Sequence, residues 1–170
     1  CSEDIQSFSE SDNAMRPESC SIKNVRAMEH RWRERTNMKF GLVRKACSAE
    51  PSSVCDLFPE NTSTVFLDWI WSVFLRGPDG PETRIDALSV ISTYYVLCRG
   101  SGKEKAECLF RLYDFNRNGS ISKEELTILF ISTCYGIVGY TQTKNKTLLQ
   151  GNDAVMQRFE ERCERIASDA

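Results

Sequence analysis

Apolar residues recur at intervals of three and four over most of this chain, the period of an amphipathic helix. Ile22, Val25, Met28 and Trp32 mark the first such stretch, within 21–45. The run TVFLDWIWSVFL at 64–75 is apolar nearly all round, with Asp68 as its one charge. It predicts a buried helix, too short to span a bilayer. Ile85, Leu88, Val90, Ile91, Tyr94 and Leu97 give a further helix. Ala106, Leu109, Phe110 and Tyr113 form one stripe, and Leu126, Leu129, Phe130 and Thr133 form a matching one. A last helix is expected over 153–168, with Phe159, Cys163, Ile166 and Ala167 on one face. The pattern predicts an all-α fold.

Between these stretches stand breakers. Residues 1–20 are rich in Ser, Glu and Asp, which predicts a disordered lead-in. Residues 48–63 are polar, with Pro51 and Pro59; GPDGPET at 77–83 reads as a loop and RGSGK at 99–103 as a short hinge. Residues 126–143 carry no charge, yet Ser132, Thr133, Gly136, Gly139 and Thr141 make a poor membrane span, so a packed helix is expected. A polar linker over 139–152 precedes the last helix.

One stretch does not fit the needs of a core or a solvated helix. DFNRNGSISKEE, at 114–125, puts oxygen-bearing side chains at alternate positions, then Gly, then a late carboxylate. Calcium is a hard cation that takes six to eight oxygen ligands. Asp114 would supply a carboxylate oxygen, Asn116 and Asn118 side-chain carbonyls, Ser120 its backbone carbonyl, Ser122 a bridging water, and Glu125 both carboxylate oxygens. Gly119 permits the sharp turn. With its two flanking helices, 103–138, the segment resembles an EF-hand, and every position of that motif is matched. Only Asp114 and Glu125 are anionic among these ligands, so an affinity on the order of micromolar or weaker is expected.

The resemblance extends backwards. FLDWIWSVF, RIDALSVISTYY and GKEKAECLFRLYD are similar to the second and third EF-hands of recoverin-like calcium sensors, a layout also found in the regulatory domains of diacylglycerol kinases. Aligning Ile85 with Ile121 places an earlier loop at 78–89, inside a degenerate unit at 64–98. Pro78, Gly80, Thr83 and Ser89 stand where two ligands, the turning Gly and the closing Glu belong. The resemblance implies a loop that folds without binding calcium, with Ile85 and Ile121 meeting across a short bridge. Residues 21–63 would hold a still more degenerate unit, and 153–170 the entering helix of a further one.

Composition removes other classes. The 170 residues are 41% hydrophobic and 27% charged with net charge −2, which gives no electrostatic case for nucleic acid as a partner. The eight cysteines are dispersed without C-x-x-C spacing and the single His is His30, so buried reduced thiols in a cytoplasmic protein are expected rather than a zinc site. The chain starts at Cys1 rather than Met and reads as a fragment or processed product. No nucleophile motif or phosphate loop is present, so no enzyme is expected. What remains is a regulatory domain holding one calcium ion per chain. Its apolar groove, lined by Phe110, Leu129, Phe130, Trp69 and Trp71, would take an amphipathic helix from a target protein or from its own basic segment 22–45. The plainer reading of that segment is a helix with a solvated basic face; membrane association through it is not predicted. The alternative is an interaction module whose calcium site is structural and does not switch.

Overall fold

The computed structural model describes residues 8–35, 48–49, 57–76 and 84–144. The expectations for 145–170, and for the loop residues 77–83, lie outside them. The described chain is mostly helical, as the apolar periodicity predicts, with a small antiparallel sheet. Its elements are α1 (Glu10–Ala14), α2 (Ile22–Arg35), β1 (Ser48–Ala49), α3 (Thr64–Phe74), β2 (Leu75–Arg76), β3 (Arg84–Asp86), α4 (Ala87–Leu97), α5 (Gly102–Tyr113) and α6 (Lys123–Lys144).

The centre is α4. Every residue from Ala87 to Tyr95 is buried, so the helix is enclosed on all sides rather than along a stripe. Against it lie α6, α2, α5 and the 3-10 turn Pro17–Ser19. Burial of each large apolar side chain here stabilises the fold by roughly 1.5–3 kcal/mol. Helix α2 buries Val25, Met28 and Trp32, as their spacing predicts. Helix α3 buries Phe66, Ile70, Val73 and Phe74 but leaves Val65 exposed, so it is a one-faced helix rather than one enclosed all round.

Helix α6 reaches α3 and α4 through small residues. A Cβ on Gly136 would lie 2.0 Å from Thr93 Oγ1 and 2.5 Å from the Ser89 carbonyl oxygen, and one on Gly139 would lie 2.4 Å from the Val73 carbonyl oxygen. Backbone meets backbone there, which only Gly allows. Tyr140, one residue on, sets its ring edge-on to Trp69 and donates its hydroxyl to Glu18. The helix continues to Lys144, so the first residues of the expected 139–152 linker are helical. No described helix is long and apolar enough to cross a membrane.

Three further expectations are corrected. Residues 8–20 are ordered: Ser9 and Asp12 form a capping box on α1, and buried Asp12 also accepts the Ser63 hydroxyl at 2.8 Å. This lead-in is tied to the body because the Arg99 amide donates to the Cys20 carbonyl at 2.8 Å and Tyr94 donates to the Met15 carbonyl at 3.0 Å. The stripe on α5 is rotated: Cys108, Leu112 and Tyr113 are buried, Leu109 is half-buried, and Ala106 and Phe110 face solvent. The third concerns Ile85. Its partners are Ala49 and Leu75, in a sheet of order β1-β3-β2, and not Ile121. A strand of three residues has two edges, and both are already taken.

Candidate functional site

The loop 114–122 hangs between α5 and α6, and its bonds explain why it holds shape. Asp114 caps α5, and its carboxylate accepts the amides of Asn118 at 3.1 Å and Gly119 at 3.0 Å. Asn116 Oδ1 accepts the same Asn118 amide at 3.0 Å. Asn118 Oδ1 accepts the amide of Ser120 at 2.8 Å and its hydroxyl at 2.7 Å. Short Asp and Asn side chains thus replace the backbone pairing that a turn lacks. Arg117 (φ 56°) and Gly119 (φ 78°) are both left-handed, and at Gly119 the missing Cβ removes the strain.

Glu125 closes the loop. Ser122 caps α6 by accepting the Glu125 amide at 3.2 Å, while Glu125 Oε2 accepts the Ser122 amide at 2.8 Å, a reciprocal capping box. The other oxygen, Oε1, accepts the amide of Phe115 at 2.9 Å, ten residues back. Glu125 is 6% exposed, whereas its neighbour Glu124 is exposed. The loop motif marks Glu125 only as a ligand, yet Ser122-Lys-Glu-Glu125 also carries the S-x-x-E signature of this box.

These groups suit a hard cation in their chemistry. Two carboxylates, two amide oxygens and the Ser120 carbonyl belong to one loop. A carboxylate offers about four lone-pair directions, so an oxygen that accepts one N–H keeps capacity for a metal. Among the described residues no three His, Cys, Asp or Glu side chains gather as a metal-binding group. A metal in this loop therefore depends on neutral oxygens as much as on charge.

The five groove residues have separate surroundings. Phe110, 39% exposed, lines a hollow of about 490 Å³ with Ala106, Glu107 and Arg111. Trp69 packs against Phe8, Phe66 and Tyr140, with ring centroids 5.3–5.9 Å away. Trp71 and Leu129 are half-buried against the core, and Phe130 is half-buried on α6. Behind the loop a polar seam joins α4, α5 and α6. The Tyr113 hydroxyl lies near Ser92, Ser132 and Thr133, and burial pushes its ionisation well above the ordinary phenol value.

No family model matches the chain, and no solved structure matches it significantly. Among curated proteins, a recoverin family protein of Dictyostelium discoideum is 31% identical over 88 residues. That alignment covers 52% of this chain and 38% of the relative, so the chain spans well under half of the relative's length. The likeness supports a relation to calcium-sensor-like proteins at that coarse level.

Proposed function

We propose that this chain is an EF-hand regulatory domain holding one calcium ion between Asp114, Asn116, Asn118, the Ser120 carbonyl and Glu125, with Ser122 contributing through a water. The observation that carries the reading is the Glu125 carboxylate, turned inward to the loop rather than out to solvent. Bound calcium supplies the positive charge that such an oxygen-rich loop is built to balance. The likeness to a recoverin family protein supports the same chemistry.

The chain's own part in sensing is mechanical. Glu125 links the first turn of α6 to Phe115 at the start of the loop, so a change of loop shape is passed to α6. Leu126, Leu129 and Phe130 occupy the first turns of that helix and are half-buried, while Phe110 is exposed on α5. A modest displacement of α6 would enlarge this apolar surface enough for an amphipathic helix from a target protein. The chain's own segment 22–45 is not available for it, because α2 already buries Val25, Met28 and Trp32 in the core. The setting proposed is cytoplasmic and the role is binding, not catalysis.

A second reading has its own observation. The far half of α6 is pressed against α3 and α4 at Gly139 and Gly136, which favours a helix that does not swing. Tryptophan emission and binding of an apolar dye, followed across a calcium titration, separate the two. A sensor changes both signals with the calcium isotherm; ion binding with neither signal moving leaves a static module.

A further inference from the structure

Helix α2 crosses beside the end of α5, and between them lies a cleft whose wall includes part of the loop 114–122. Arg26 and Arg33 from α2, Arg111 from α5 and Arg117 from the loop line a hollow of about 500 Å³ with Glu29 and Asp114. Four arginines and His30 therefore share this lining with two acidic residues. Glu29 pairs with Arg33 inside the hollow and so partly neutralises it, while Asp114 is engaged within the loop. Glu29 accepts from Arg33 Nε at 2.7 Å and from the Tyr95 hydroxyl at 2.5 Å, while Asp114 accepts two loop amides.

Three of the four arginines are anchored by hydrogen bonds. Arg26 Nε and Arg111 Nη2 donate to one buried sulfur, Cys108 Sγ, at 3.3 and 3.4 Å. Arg33 Nη2 donates to the carbonyls of Arg111 and Leu112 at 3.2 and 3.4 Å. A guanidinium already held has less freedom to lose on meeting a ligand. With Arg33 paired to Glu29, the rest of the lining still carries more positive than negative side chains, an excess that an anion would balance. Planar forks from three separate elements suit the several oxygens of a phosphate better than the two of a carboxylate.

We propose that this cleft binds a phosphate-bearing anion. Asp114 belongs to both the cleft wall and the loop, so removing its negative charge strengthens the anion's binding. Where the loop holds calcium, the two ligands favour each other by the same factor in both directions; that clause alone rests on the calcium reading.

The test is a calorimetric titration of inorganic pyrophosphate into the full chain, in calcium-free buffer with chelator. Binding is expected to saturate, and to weaken roughly tenfold in Arg26→Gln or Arg111→Gln, the scale of one lost charge-assisted contact. Lys23→Gln removes a positive charge from α2 outside the cleft and should change nothing, whereas Asp114→Asn should strengthen binding. Thermal melting checks each fold, and if Arg26→Gln does not fold, Arg117→Gln in the exposed loop carries the same expectation. Sedimentation with phosphatidylcholine vesicles containing phosphatidic acid, lost in the same variants, would assign the ligand to a lipid headgroup. Pyrophosphate binding without sedimentation would assign it to a free phosphate compound. No saturable binding by the unaltered chain, or an equal loss in Lys23→Gln, overturns the proposal. Because no calcium is present, a failed calcium site leaves this result standing.

Discussion

Helices α4 and α6 begin with the same two positions filled the opposite way round. Asp86 precedes α4 with Ser89 three residues on; Ser122 precedes α6 with Glu125 three residues on. In the first, Asp86 accepts the Leu88 amide at 3.0 Å and the Ser89 hydroxyl at 2.6 Å, inside its own turn. In the second, the longer Glu125 side chain bonds its own cap with one oxygen and reaches Phe115 with the other. The first carboxylate stabilises a buried helix start, and the second ties a helix to a loop. Position within the turn, and one methylene of reach, decide whether an acid serves the fold or the site.

The two regions should therefore fail differently, and the largest effect is expected at Ile85. It is fully buried and held between β1 and β2. Ile85→Ala should cost roughly 2–5 kcal/mol in denaturant unfolding, as buried Ile truncations do. Calcium affinity should stay unchanged, because Ile85 does not pair with Ile121. A parallel fall in affinity would mean that the two regions are coupled at the loops.

Next comes the contact where the regions meet. Gly136→Ala places a methyl into Thr93 and the Ser89 carbonyl, so α6 must shift off α4. A loss of roughly 1–3 kcal/mol is expected, the range for overpacking. Melting temperature measures it, and an unchanged value would mean that α6 yields easily, which favours the switching reading.

Asp86→Ala should give the smallest stability loss of the three, about 1–2 kcal/mol, the range for losing a cap with its buried partners. Chemical unfolding reads that loss, and calcium titration should read none. An effect on calcium would contradict the division between a structural acid and a site acid.

Much of this was legible in order along the chain. The loop 114–125 could be read because its bonds are local: alternate Asp and Asn side chains meet amides two to five residues on. The buried face of α2 followed from helical spacing, whereas α4 is enclosed on all sides and also buries Ser89, Ser92 and Thr93, which spacing alone does not express. Ile85's partners did not, because strands of two or three residues carry almost no periodic signal and Ala49 is far away in sequence. The turn of α5 about its axis was also hidden. Cys108 and Leu112 face inward where Arg26 and Arg33 of α2 reach them or their carbonyls, a pairing that single-helix spacing cannot express. The arginine cleft was half-legible: Arg26 and Arg33 lie on one face of a basic helix, but only the fold brings Arg111 and Arg117 to it.

The proposed calcium ion sits in one loop of this chain, and Glu125 is the residue proposed to close it. Native mass spectrometry of the full chain across a calcium titration, run beside Glu125→Gln and Glu124→Gln, tests it directly. The expected result is one ion per chain, with apparent affinity roughly tenfold or more lower in Glu125→Gln and unchanged in Glu124→Gln, as the dependence of such loops on ligand charge implies. Equal losses in the two variants would mean diffuse attraction rather than coordination, and two tight ions or none in the unaltered chain would contradict the account.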